Sequence, residues 1–232
     1  PYKVAPLTAV IRNGGYELKD VEVRIVPKMN GQEIKYKVSD RQLKTNAGIP
    51  VFGLYPDYLN TVEVSYTRLF NGKAEKFSDT YQFYAPPVYT RSNGMPRQKG
   101  TMFDTEVHTV HPDFKDRLYL VGNQLSPIAP QGARFAWNNP SGAGAREHRH
   151  PSGGALEWAY NSNIGIIDTT GAVRWYLFDI LLNEPSDPWS SGYMMGFQQT
   201  KDGALTWGFG QRYVKYDLLG REIFNRLLPP QY

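Results

Sequence analysis

The 232-residue chain has no cysteine, which removes both a disulfide framework and a thiolate nucleophile from consideration. No apolar run is long enough to span a bilayer, so no membrane span is expected. Nowhere do apolar residues recur at the i, i+3, i+4, i+7 spacing of a long amphipathic helix. The phosphate loop G-x-x-x-x-G-K-[ST], the dinucleotide fingerprint G-x-G-x-x-G, the nucleophile elbow G-x-S-x-G and the zinc motif H-E-x-x-H are all absent. Those absences argue against a nucleotide cradle, an elbow-type hydrolase and a zinc-protease site, and no cofactor is expected. Charge of either sign is also modest: the net charge of +4 is spread along the chain. No basic run alternates with exposed aromatics in a recognisable module, so no nucleic-acid partner is expected.

What the chain does have is aromatic rings and turn residues. Aromatics make up 14%, with 16 Tyr and 5 Trp, and such residues favour strands. The 22 Gly and 17 Pro imply many turns. The expected class is therefore all-β, and the length allows one or two domains with a sizeable core.

Up to about residue 85 the apolar residues alternate in period two. Leu7–Ile11, Val21–Ile25, Ile34–Val38, Val62–Tyr66 and Phe77–Tyr84 read as strands, separated by Asn13-Gly14-Gly15, Asn30-Gly31 and Asn71-Gly72 turns. Short strands at this spacing predict a small β-sandwich of immunoglobulin or fibronectin style over residues 1–87. The polar, breaker-rich stretch that includes Arg91–Gly100 reads as a linker over 88–103. A second unit follows over 104–232, with strands at Val107–Val110 and Leu118–Val121 and a long irregular insertion loop over 123–160. A structureless stretch of that length is usually functional or a partner surface.

The end of the chain sets the architecture of that second unit. Tyr193–Gln198, Ala204–Phe209, Arg212–Asp217 and Glu222–Leu227 read as four consecutive strands. Lys201-Asp202-Gly203 and Asp217-Leu218-Leu219-Gly220 supply turns between them. Four antiparallel strands in a meander predict one blade of a β-propeller. The run Ile166–Leu177 has the same plan as Val214–Leu228, and its D-x-x-G turn begins at Asp168, 49 residues before Asp217. That period fits propeller repeats of about 40–50 residues. A hairpin pair in a sandwich is the plainer alternative.

Chemistry-bearing clusters are few. His148 and His150, with Glu147 nearby, form the close histidine pair, but Arg146 and Arg149 repel a cation, so no metal site is expected. His108 and His111 flank the end of the Val107–Val110 run, where structural roles are expected. Arg91, Arg97, Lys99 and Lys115 form a basic group able to hold an anion, but a solvated linker is the favoured account of them. The residues alone describe a β-rich binding or scaffold protein.

Several ordered runs resemble the sequence of a known bacterial family. Leu43-Lys44-Thr45 followed by Gly48-Ile49-Pro50-Val51-Phe52-Gly53-Leu54-Tyr55 is similar to the signature of that family's N-terminal domain. Pro112, Phe114 and Asp116–Val121 are similar to its entry into the propeller. Ile167-Asp168, Gly171 and Arg174-Trp175 are similar to its first blade hairpin, and Gly192–Gly196 to its next inner strand. On these runs the chain resembles the bacterial aryl-sulfate sulfotransferases, while the segment Asn139–Gly154 departs from the pattern of that family.

The resemblance implies a β-sandwich followed by the first blades of a six-bladed β-propeller, in a periplasmic enzyme that is commonly a homodimer. It implies transfer of a sulfuryl group from a phenolic sulfate ester donor to a phenol acceptor, without a nucleotide, through a sulfated histidine in a ping-pong cycle. The family's functional His, Arg, Asn and Thr residues lie beyond the point matching Leu228-Pro229-Pro230, so no catalytic residue is expected in this chain. The partners implied are the remaining propeller blades, in the same polypeptide or a second subunit. Trp158 and Tyr193 match positions resembling the family's substrate funnel and are the expected substrate-binding residues. Two other functions remain open on these residues: a non-catalytic sandwich–propeller binding module, and part of a quinone-dependent propeller dehydrogenase.

Overall fold

In the computed structural model the described residues are 4–91, 97–99, 105–123, 163–177, 195–209 and 212–227. They form antiparallel sheets and one seven-residue helix, an all-β fold with a sandwich and a blade-like meander. The chain divides into two compact units, the first made of 1–88, 103–121 and 165–176, the second of 89–102, 122–164 and 177–232.

The first unit is built on a four-stranded sheet of order β3-β2-β5-β6: Glu17–Ile25 (β2), Ile34–Val38 (β3), Tyr58–Phe70 (β5) and Lys73–Ala85 (β6). In β2 the alternation reads out as expected, with Val21, Val23 and Ile25 fully buried. Between them Glu22 pairs with Lys35, and Arg24 with Glu33 and Glu63, on the solvent face. The strand is longer than its apolar core suggests because a bulge at Asp20, in the left-handed region (φ 52), carries pairing back to Glu17. Asn71 and Gly72 (φ 49 and 76) make a two-residue turn that closes an unbroken ladder from Tyr58↔Ala85 to Phe70↔Lys73.

A second sheet pairs Thr8–Arg12 (β1) with Gly48–Phe52 (β4). The Tyr36 hydroxyl joins β3 to β4, donating to the Pro50 carbonyl (2.9 Å) and accepting from the Phe52 N–H (2.9 Å). Between β3 and β4 lies the helix Asp40–Asn46 (α1), which composition alone did not suggest. Its local signal is a capping box: Ser39 accepts from the Gln42 N–H, and the Gln42 side chain accepts from the Ser39 N–H. Ala47, at φ 48, ends it.

The second unit holds a meander of order β12-β13-β14-β15: Met195–Gln199, Leu205–Phe209, Arg212–Tyr216 and Glu222–Leu227. This is the up-and-down order of one propeller blade. Trp207 is its buried centre, stacked on Tyr216 (5.2 Å between centroids) and tilted against Phe197 (6.1 Å). At the first turn only Gly203 takes a positive φ (82), and the Gly203 N–H donates to the Thr200 carbonyl.

The expected strand at Val107–Val110 is not formed. Residues 105–111 carry no ladder, and Val107 and Val110 are exposed. The Val-His-Thr-Val alternation imitates a strand, but among the described residues it pairs with no neighbouring strand. The next expected strand appears as Tyr119–Asn123 (β9), in a three-stranded sheet with Asn163–Ile167 (β10) and Val173–Tyr176 (β11) in the order β11-β10-β9. Within the stretch read as a linker, Tyr89–Arg91 (β7) and Arg97–Lys99 (β8) pair as a short hairpin, with Arg91 opposite Arg97.

Candidate functional site

The two D-x-x-G turns are the most specific local structures in the chain, and they share one geometry. In each, the glycine N–H donates to the aspartate carbonyl (Gly171 to Asp168, 3.0 Å; Gly220 to Asp217, 2.9 Å). Each aspartate N–H in turn donates to the carbonyl four residues on, Ala172 or Arg221 (3.0 Å in both). The aspartate Oδ1 accepts from the N–H two and four residues ahead: Thr170 and Ala172 for Asp168, Leu219 and Arg221 for Asp217. Gly171 and Gly220 take φ 81 and 77, which only glycine adopts freely. Both ladders shift register beside the turn, at Ile166/Ile167 and at Lys215/Tyr216. The repeat read from the sequence is therefore the same hairpin folded twice.

The second carboxylate oxygen separates the two. Asp217 Oδ2 accepts from Arg221 at a partly exposed site. Asp168 Oδ2 accepts from Arg174 Nη1 at 2.7 Å, and neither side chain is exposed. Arg174 also donates from Nε to the Gly53 carbonyl (2.9 Å) and from Nη1 to the Gln32 carbonyl (2.9 Å). Its guanidinium lies 3.7 Å from the centre of the Tyr55 ring. The remaining nitrogen, Nη2, is buried and has no hydrogen-bond partner among the described residues.

Gln32 stands at the centre of this cluster. Its Oε1 accepts from both the N–H (2.9 Å) and the Oγ1 (2.8 Å) of Thr169, and its Nε2 donates to the Arg117 carbonyl (3.2 Å). Its own carbonyl accepts from the Tyr55 hydroxyl as well as from Arg174. Asn60 fixes the Tyr55 loop, accepting from the Tyr55 N–H (2.7 Å) and donating to the Tyr55 carbonyl (2.9 Å). A Cβ at Gly31 would collide with the Tyr55 hydroxyl, so a larger residue there requires the buried Tyr55 ring to shift. Lys28 completes the cluster, its ammonium 4.3 Å from the Tyr58 ring centre and 4.9 Å from that of Tyr55. Burial and then the charge of Arg174 lower its pKa, and Asp57 opposes them.

These groups hold the chain together; they are not arranged to transform a ligand. The cations face carbonyls, rings and a paired carboxylate. His108 and His111 are exposed. His111 caps a short turn over Pro112–Phe114, its Nδ1 accepting from the Asp113 N–H (3.3 Å), which is the structural role expected of it. Among the described residues no group of three or more His, Asp or Glu is placed to hold a metal. Of the basic group, Lys115 contributes through its carbonyl, which accepts from Thr169 Oγ1. The expected substrate residues Trp158 and Tyr193 lie outside the described residues, as do His148 and His150. The Arg174 cluster was missed as a site. Its signal was the Arg174 of the family run together with a D-x-x-G aspartate six residues earlier, a spacing that lets the two ends of a tight hairpin meet.

A sandwich sheet followed by D-x-x-G hairpins and a four-stranded meander is the framework of a propeller protein with an N-terminal immunoglobulin-like half. Residues 1–86 match the family model of the arylsulfotransferase Ig-like domain, and residues 104–232 that of arylsulfotransferase (ASST). The chain belongs to the arylsulfotransferase family. It is similar to the arylsulfate sulfotransferase AssT of Lelliottia amnigena, 35% identical over 99% of this chain. It is also similar to the arylsulfate sulfotransferase AssT of Escherichia coli O6:H1, 33% identical over 99% of this chain. The chain spans 38% of the length of both relatives.

Proposed function

We propose that this chain is the N-terminal portion of an aryl-sulfate sulfotransferase, and that the residues performing the chemistry lie outside it. The observation carrying this reading is the match to relatives named for that activity over 99% of the chain, against 38% of their length. On this reading residues 1–87 are the sandwich domain, 88–103 a linker and 104–232 the first blades. The remaining blades complete the propeller, the enzyme is periplasmic and homodimeric, and no nucleotide donor is used.

In the proposed reaction a neutral histidine nitrogen attacks the sulfur of a phenolic sulfate ester. The N–S bond forms, the S–O bond to the aryl group breaks, and the phenolate leaves and is protonated. The oxygen of an acceptor phenol then attacks the same sulfur, its proton passes to a base, and the N–S bond breaks to regenerate the imidazole. Donors aimed at the sulfuryl oxygens stabilise charge as it shifts. Trp158 and Tyr193 are proposed to hold the aryl ring.

The test uses the complete polypeptide that contains this chain, with 4-nitrophenyl sulfate as donor and phenol as acceptor. The expected result is phenyl sulfate formation without added nucleotide and an acid-labile sulfuryl adduct on a histidine after donor alone. No transfer by the complete polypeptide would overturn the reading in favour of a non-catalytic scaffold. Purified residues 1–232 are expected to show no turnover, and turnover by them would place the chemistry inside this chain.

A further inference from the structure

The first compact unit is discontinuous: the sandwich strands are joined by residues 103–121 and by 165–176, from far downstream. The joint is buried and polar. Arg174 reaches 121 residues back to the Gly53 carbonyl and 142 residues back to that of Gln32. Thr169 reaches 137 residues back to Gln32, and Gln32 in turn holds the Arg117 carbonyl. Thr105 Oγ1 donates to the Gly171 carbonyl (3.0 Å).

Backbone carbonyls of the Ig-like part thus take their donors from a hairpin that follows them by more than a hundred residues. We infer that the Gln32–Gly53–Tyr55 face of the Ig-like part is a receptor surface for the Asp168–Arg174 hairpin, and that docking of this hairpin completes the fold of residues 4–88.

The physical reason is that each side is costly alone. Without the hairpin, the buried Gln32 side chain and the Gly53 carbonyl lose their donors, and the Tyr55 face loses its cover. Without the Ig-like part, Arg174 keeps Asp168 but loses two carbonyl acceptors and the ring on which it lies. A buried pair held this way adds little net stability but makes its removal expensive, and its documented use is to fix which elements meet. The second hairpin works as an internal control. It has the same turn, but the position 49 residues after Arg174 is Ile223, which is exposed, and its aspartate pairs locally with Arg221. The turn is the shared element; the long-range arginine belongs to the first hairpin.

The test measures backbone hydrogen exchange in the full 232-residue chain carrying Arg174→Met, with Arg221→Met as the control. The expected result is that β3 and residues 53–55 lose protection together with β10–β11, by at least about tenfold, while the β12–β15 sheet keeps its protection. Arg221→Met should leave β3 and 53–55 unchanged. Loss confined to β10–β11 in Arg174→Met would overturn the inference. If Arg174→Met does not accumulate as folded protein, Thr169→Val and Gln32→Ala replace it. Their double variant should exchange at 53–55 no faster than the more affected single variant, since both cut the same joint. Independent, additive losses would overturn the inference by the second route.

Discussion

Asp168 and Asp217 hold identical turns with one carboxylate oxygen and direct the other to arginines in opposite settings. Arg174 is fully buried, and Arg221 is part-exposed. An ion pair's sensitivity to mutation follows its burial, so matched substitutions should differ sharply. Asn retains the Oδ1 acceptor that organises each turn, so Asp168→Asn spares the turn and removes both the charge and the acceptor opposite Arg174. Leaving that guanidinium uncompensated is expected to cost about 3–5 kcal/mol. The same change at Asp217 removes an i,i+4 pair at a partly solvated site, worth less than about 1 kcal/mol. Urea unfolding of the two variants measures the gap, and equal losses would show that the Arg174 pair is not a buried lock.

Tyr36 bridges the two sheets of the sandwich with one oxygen that both donates and accepts. Burial raises the pKa of this phenol well above its ordinary value, and the Phe52 N–H opposes the shift. Tyr36→Phe conserves the ring, which packs 6.2 Å from that of Phe52, and removes only the bridge. The Pro50 carbonyl and the Phe52 N–H then lose a shared partner, at an expected cost of about 1–3 kcal/mol. A melting temperature unchanged from the parent would show that water replaces the hydroxyl without cost.

Lys28 gives a pH dependence whose sign can be worked out. Its folded pKa lies below the ordinary 10.5, chiefly through burial and then through Arg174. Between the folded value and 10.5 the unfolded chain therefore binds more protons, and this lysine adds stability as pH rises through that window. Tyr55 and Tyr81 act in the opposite direction: burial raises both, so their contribution is present below about pH 10 and lost as pH rises further. Tyr66, pushed up to about 12 by burial and then by Asp79, behaves the same way. The lysine term is thus visible only as a difference. The stability of the parent relative to Lys28→Met should shift in the parent's favour between pH 8 and pH 10.5. A constant difference across that range would exclude a depressed lysine.

How much of this was legible depended on how local the cause was. The strands at Ile34–Val38 and Glu222–Leu227, and the turns at Asn71-Gly72 and Asp217–Gly220, were readable because side-chain alternation and glycine placement act within a few residues. The helix at Asp40–Asn46 was also local, signalled by Ser39 and Gln42, but seven residues are too few to show apolar periodicity. Val107–Val110 has strand chemistry but no strand partner among the described residues, and pairing is a property of the fold rather than of the segment. The Gln32–Arg174 joint could not be found from spacing at all. Nothing near Gln32 in sequence needs an arginine; only the folded unit brings the two together.

Trp158 and Tyr193 carry the last prediction, which rests on the proposed sulfuryl transfer. Both are proposed to hold the aryl ring, and Tyr193 stands two residues before Met195–Gln199 in the sequence. A phenyl ring held by a favourable aromatic pair gains about 0.5–1.5 kcal/mol beyond burial, or roughly 2- to 12-fold in affinity. In the complete enzyme, Trp158→Ala or Tyr193→Ala should therefore raise KM for bulky aryl sulfates by roughly that factor, with melting temperature nearly unchanged. Small aryl donors should be affected less, because they offer less ring to cover. A residue packed in the blade core would give the reverse pattern. Its truncation costs about 3–5 kcal/mol for a large aromatic and lowers the melting temperature by several degrees, while the folded fraction retains ordinary kinetics. Steady-state kinetics with donors of graded size, alongside thermal melting of the same preparations, separate the two, and the second pattern would remove these residues from the substrate site.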